Sequence, residues 1–155
     1  MARILFWTFN IWFITTACSS SKINVVKSMP EQGIEGYVYW LAGNQMPSPD
    51  RKPSVPKGIR TTLYVYPLTN ISQVTRQGHT PFYTAINTKL VSTVDTDSNG
   101  YFKLGLNPGK YSLFTKKADL FFANGFDKDN NIAPTEVLAG KMTKVDFTVD
   151  YDAVY

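Results

Sequence analysis

Four sets of residues in this 155-residue chain have types and spacings that chemistry can use. Cys18 is the only cysteine and His79 the only histidine. In Arg76-Gln77-Gly78-His79-Thr80-Pro81 the imidazole could serve a hydroxyl nucleophile as general base. No nucleophile-elbow glycine pattern accompanies it, and a lone histidine in a polar Gly/Pro loop reads as solvated. Asp95, Asp97 and Asn99 set side-chain oxygens at alternate positions before Gly100, as in the first half of a calcium loop. The twelfth position is Leu106, where a bidentate glutamate belongs. Asp127, Asp129 and Asn131 repeat the spacing, with Ile132 in place of the glycine and Leu138 at the twelfth position. Asn and Asp turn chemistry accounts for both loops and is the favoured reading. Tyr37 and Tyr39 point to one side of a first strand, Tyr64 and Tyr66 to one side of a second. If those strands pair, the four rings form an aromatic ladder on which sugar rings stack. The bland alternative is cross-strand pairing, which stabilises a sheet by about 0.2–1 kcal/mol per pair.

Other chemistries lack their residues. A catalytic zinc takes three protein ligands drawn largely from His, Cys and carboxylates, and one histidine does not supply the usual set. The paired His and Tyr ligands of an iron dioxygenase fail for the same reason. No cofactor and no enzymatic activity are expected. The net charge of +4 is spread along the chain, without the basic stripe or motif of a nucleic-acid reader.

Cys18 takes its meaning from what precedes it. Arg3 supplies a positive start, and Ile4 to Ile14 an apolar stretch interrupted by Thr8 and Asn10. That run is too short to cross a bilayer, which takes about 20 residues. Thr15-Thr16-Ala17 then gives small residues directly before the cysteine. The segment resembles the lipobox of bacterial lipoproteins, with Thr15 where leucine is usual. The resemblance implies a signal peptide over 1–17, cleavage after Ala17, and acylation of Cys18. A lone cysteine has no internal disulfide partner, and acylation consumes an otherwise exposed thiol. Two acyl chains are needed for durable anchoring. Ser19 is not the aspartate associated with inner-membrane retention in the lipoproteins it resembles, and no acidic export signal follows. The expected address is the outer membrane, facing the periplasm.

Residues 18–32 read as lipidated cysteine and polar tether, and 33–155 as one domain large enough to bury a core. Short β-branched and aromatic runs separated by Gly, Pro, Asn and Asp predict an all-β fold. Strands are expected at 34–41, 59–66, 89–95, 101–106, 110–116, 120–122, 136–138 and 143–151. Pro47, Pro49, Pro53 and Pro56 mark a long loop over 44–58. Residues 67–87, with Gly78 and Pro81, read as a crossover loop. The runs 89–95, 101–106 and 110–116 read as a meander, turning at Asp97 to Gly100 and at Asn107-Pro108-Gly109. Phe102 and Leu104, with Tyr111 and Leu113 opposite, form its inward set. Val145, Phe147, Val149 and Tyr151 alternate with Asp146, Thr148 and Asp150, as in a half-buried antiparallel strand.

The segment Asp97-Ser98-Asn99-Gly100-Tyr101-Phe102-Lys103-Leu104, followed by Leu106-Asn107-Pro108-Gly109-Lys110-Tyr111-Ser112-Leu113, resembles the carboxypeptidase regulatory-like domain. Gly33-Ile34-Glu35-Gly36-Tyr37-Val38 falls where that family has its first strand, and Gly140 with Val145-Asp146-Phe147 where it has its last. The likeness spans Gly33 to Val149 and departs at the inserts 44–58 and 69–87. It implies a seven-stranded, transthyretin-like Greek-key β-sandwich. It also implies a non-catalytic module with a stabilising or binding role, a protein partner being expected. The matching positions are fold residues, so no ligand-contacting residue is implied.

Overall fold

The structure is a computed structural model and describes residues 31–47, 49 and 54–155. Ala17, Cys18 and the rest of the expected signal peptide lie outside these residues, as does nearly all of the tether. Within them the chain forms eleven strands and one short 3-10 turn. The strands are β1 (Gly33–Asn44), β2 (Lys57–Gly58), β3 (Thr62–Pro67), β4 (Val74–Arg76), β5 (Phe82–Ile86) and β6 (Ser92–Asp95). They continue with β7 (Tyr101–Gly105), β8 (Gly109–Lys117), β9 (Leu120–Phe122), β10 (Pro134–Val137) and β11 (Met142–Val154). Among the described residues no helix is long and apolar enough to cross a membrane.

Two sheets make an all-β sandwich. One has four strands, β11-β1-β2 with β7 also on β1. The other has seven, β4-β5-β9-β8-β3-β6 with β10 also on β8. Every run expected to be a strand contains one, and β2, β4 and β5 are additional. The total is eleven strand segments against the seven of the family pattern.

Alternation explains the core. Ile34 and Val38 on β1, Leu63 and Val65 on β3, Phe102 on β7, Leu113 on β8 and Phe147 and Val149 on β11 point between the sheets and are buried. Phe122 on β9 ties the layers together. Its ring lies 5.5 Å from Phe82 of its own sheet, and 6.5 Å from Phe147 and 5.1 Å from Tyr151 of the facing one. Tyr151 meets Trp40 edge-on at 4.9 Å. The inward set of β11 is therefore the expected one.

Its direction is not. β11 runs parallel to β1, from Gly33 opposite Met142 to Asn44 opposite Val154, with one irregularity between Trp40 and Ala42. Alternation depends on which face is buried and carries no information about direction. The expected meander is also replaced. β6 pairs with β3, β7 with β1 and β8 with β3, so the chain passes from sheet to sheet. Phe102 and Leu113 do face the core, but across the sandwich and not along one ladder. The turn at Asn107-Pro108-Gly109 bridges the layers: the Leu106 amide donates to the Gln32 carbonyl beside β1, while β8 begins at Gly109 in the other sheet.

The predicted crossover loop 67–87 is ordered. Asn70 and Gln73 form a capping box around the 3-10 turn Ile71–Gln73, after which β4 and β5 pair antiparallel. The segment's first residues pass the outward-facing Ser112 of β8, and β4 and β5 extend the seven-stranded sheet at one edge. The Thr69 amide donates to Ser112 Oγ at 2.9 Å, and the Ile132 amide donates to the Thr69 carbonyl at 2.9 Å. Asn70 Nδ2 donates to the Asp129 carbonyl at 2.8 Å. Residues 69–71 and 129–132 are thus hydrogen-bonded to one another beside the buried Ser112.

One buried side-chain polar atom lacks a hydrogen-bond partner among the described residues, Thr115 Oγ1 on the inner face of β8. An unsatisfied buried hydroxyl costs about 1–3 kcal/mol, and valine has nearly the same shape. Thr115→Val is expected to raise stability by roughly 1 kcal/mol, read as a higher urea midpoint at unchanged denaturant slope.

Candidate functional site

The outer face of the four-stranded sheet has no covering segment among the described residues, and the sheet's register assembles a site on it. Tyr37 lies opposite Tyr101 of β7, Glu35 opposite Lys103, and Tyr37 opposite Asp146 of β11. By alternation, Glu35, Tyr37, Tyr39, Tyr101, Lys103, Lys144 and Asp146 share this face. All of them but Lys103 line a shallow groove of about 420 Å³.

The Tyr37 and Tyr39 rings are nearly parallel, 20° apart with centroids at 5.8 Å. Tyr101 meets Tyr37 edge-on at 5.5 Å. Tyr37 is 40% exposed. Glu35 accepts from the Tyr101 hydroxyl at 3.4 Å and lies 3.7 Å from Lys103 Nζ. Asp146 Oδ1 accepts from the Tyr37 amide at 3.2 Å. Desolvation, reinforced by the Asp146 charge, raises the Tyr39 phenol above its ordinary pKa. Desolvation and the Glu35 carboxylate do the same for Tyr101. Both hydroxyls stay protonated at neutral pH and can donate. The face thus offers flat apolar rings, phenolic donors, two carboxylates and two ammonium groups.

The loop carrying Asp97 positions Tyr101. Asp97 Oδ1 accepts from the amides of Asn99 and Tyr101 at 2.8 and 2.9 Å, and the Gly100 amide donates to the Asp97 carbonyl. The Gly100 carbonyl then accepts from the Val38 amide at 2.8 Å, docking the turn on β1. Asp95 Oδ1 accepts from the Thr62 hydroxyl at 2.6 Å. The oxygens of Asp95 and Asp97 named for calcium are thus engaged in turn and cross-strand hydrogen bonds. Among the described residues no group of three His, Cys, Asp or Glu side chains converges on a common point.

The second acidic loop behaves likewise. Asp127 accepts from the amides of Asp129 and Asn131 and from the Asn131 side chain, at 2.8–2.9 Å. The Asn131 side-chain hydrogen bond is the chief reason its pKa falls below the ordinary aspartate value. A depressed folded-state pKa makes its stabilisation present above the unfolded pKa and lost as pH falls through the folded one. The stability difference between the wild type and Asp127→Asn, measured by urea unfolding, is expected to be constant at neutral pH. It should shrink below pH about 4, the unperturbed aspartate range.

The predicted four-tyrosine ladder does not form, because β1 and β3 belong to different sheets. Tyr64 and Tyr66 lie on the outer side of the seven-stranded sheet against Phe121, at 5.6 and 5.8 Å, and Tyr66 is only 7% exposed. Tyr101 takes their place beside Tyr37 and Tyr39. Its position depends on a pairing across 64 residues, and in the sequence it reads only as a strand aromatic after a turn. His79 is exposed beside the β4–β5 turn, where its carbonyl accepts from Arg76 at 3.2 Å. Among the described residues no side-chain hydrogen bond joins its ring to a hydroxyl or a carboxylate.

No family model, curated protein or solved structure matches the chain.

Proposed function

We propose that the chain is a non-catalytic envelope lipoprotein, anchored through acylated Cys18 to the outer membrane on its periplasmic side. Its sandwich, a carboxypeptidase regulatory-like domain, binds a protein partner through the outer face of the four-stranded sheet. One observation carries this reading. On one sheet the chain's own residues 69–71 and 129–132 lie against the outward-facing Ser112, whereas the outer face of the other presents Tyr37, Tyr39 and Tyr101 beside paired charges. Tyrosine rings supply large contact area at small entropic cost and are enriched at the energetic centres of interfaces.

A second reading, carbohydrate binding, is favoured by the near-parallel rings of Tyr37 and Tyr39, with Glu35, Asp146 and Lys144 beside them to meet hydroxyls. Both readings use the same face, so paired variants separate them. The full lipidated chain and its Tyr37→Ser/Tyr101→Ser form would be used to capture proteins from envelopes of the producing cell. Both would also be run in polysaccharide-containing native gels. A protein retained by the wild type and lost by the variant supports the first reading. Retardation of the wild type alone in one polysaccharide supports the second, and identical behaviour of both forms in both assays removes the face as a binding site. Cys18→Ser is expected to leave the signal segment uncleaved and unacylated, which the mass of the purified chain reports. A cleaved, unacylated Cys18→Ser product would remove the anchor.

A further inference from the structure

We propose that the end of the sandwich from which the chain runs back toward Cys18 rests on the bilayer, with Leu90, Val91 and Leu138 inserted among the lipid headgroups. This rests on the lipid anchor proposed above. Gln32 fixes where the chain enters the fold. Its Nε2 donates to the Leu106 carbonyl at 2.8 Å, and its Oε1 accepts from the Gly140 amide at 2.9 Å. The Gly33 amide donates to the Lys141 carbonyl at 3.1 Å. The entry point is thus clamped between the turn after β7 and the turn before β11.

Both turns, and the segment before β6, belong to one end of the sandwich. Gly33 pairs with Gly105 and with Met142, and Val137 pairs with Gly109. The Val91 amide donates to the Val65 carbonyl, and Val91 shares a shallow groove with Leu106, Asn107 and Tyr111. At this end Leu90, Val91 and Leu138 are 41%, 46% and 50% exposed. Isolated exposed apolar side chains need no explanation, but three around the anchored end are where a bilayer would cover them.

Length sets the orientation. Fourteen Cα–Cα steps separate Cys18 from Gln32 (32 − 18), and no chain of that length reaches beyond about 50 Å. The 13-residue β11 is itself about 43 Å long at about 3.3 Å per residue. Presenting the opposite end to the membrane would consume nearly the whole reach in running back along the domain. Charge at the anchored end is mixed, Lys89, Lys110 and Lys141 against Glu31 and Glu136. The contact is therefore apolar and indifferent to lipid charge. The tyrosine face then stands at a steep angle to the membrane, open to a partner.

The test uses the full lipidated chain, in which acylation leaves an introduced cysteine as the only free thiol. Leu90→Cys, Leu138→Cys and, at the far end, Val154→Cys would each carry an environment-sensitive fluorophore. The proteins would be reconstituted on vesicles of phosphatidylethanolamine with phosphatidylglycerol, and on phosphatidylcholine alone. A blue shift and a several-fold loss of iodide quenching at positions 90 and 138, absent at 154 and alike on both vesicles, is the expected result. Equal quenching at all three positions on vesicle-bound chain overturns the contact and leaves the anchor standing. A shift confined to the anionic vesicles overturns the apolar contact proposed here. A chain that does not stay with vesicles overturns the anchor and this contact together.

Discussion

Replacing Phe122 with alanine is expected to lower stability by about 3–5 kcal/mol, the usual cost of removing a fully buried aromatic ring. The ring is completely buried and belongs to β9, yet it packs against Phe147 and Tyr151 of the opposite sheet as well as Phe82 of its own. Its loss opens a cavity at the joint between layers, where neither sheet can collapse without shifting the other. Phe122→Leu keeps much of the volume and should cost markedly less. Urea unfolding checks both, the expected signature being a lower midpoint at unchanged slope. A Phe122→Ala loss below about 1 kcal/mol would place the inter-sheet joint elsewhere.

Gly100→Ala is the second large effect. Gly100 has φ +83°, and a Cβ there would lie 2.4 Å from the Val38 carbonyl oxygen and 2.9 Å from the Gly58 Cα. The left-handed backbone costs a non-glycine residue about 1–2 kcal/mol. Overlap with backbone that cannot swing aside adds about 1–3 kcal/mol. The displaced groups support Tyr101, so the variant should weaken any ligand of the tyrosine face beyond its loss of stability. Gly78→Ala is the control: it also has positive φ, +58°, but a Cβ there meets nothing within 4 Å. Only the strain should register, by unfolding, with ligand affinity unchanged. Equal losses for the two variants would show that close approach plays no part.

Much of the fold was legible because it rests on period and punctuation. Val145, Phe147, Val149 and Tyr151 announce the inward face of β11, and the turn at Asp97 to Gly100 follows from Asp and Gly chemistry. What stayed hidden was long-range. Nothing local to 143–151 reveals that its partner is β1 and that the two run parallel. Likewise the pairing of Tyr101 with Tyr37, which makes the site, and the separation of Tyr64 and Tyr66 from it are facts of sheet assignment. The 67–87 segment was locally readable. Phe82-Tyr83-Thr84-Ala85-Ile86 is rich in strand formers, and Asn70 with Gln73 has capping-box spacing, but Gly78 and Pro81 obscured both.

The parallel pairing of β1 with β11 has a consequence for timing. The first strand of the sandwich to be synthesised acquires its longest partner only when the last is available, more than 100 residues later. Contacts that distant give a high contact order, and all-β folds of this kind reach the native state in milliseconds to seconds, far slower than helical bundles. Until then the edge of β1 that β11 will occupy is unpaired and open to association with other chains. A chain emerging from its N-terminus must therefore keep that edge apart from its neighbours, so its yield of native protein should depend on crowding during production more than on the stability finally reached.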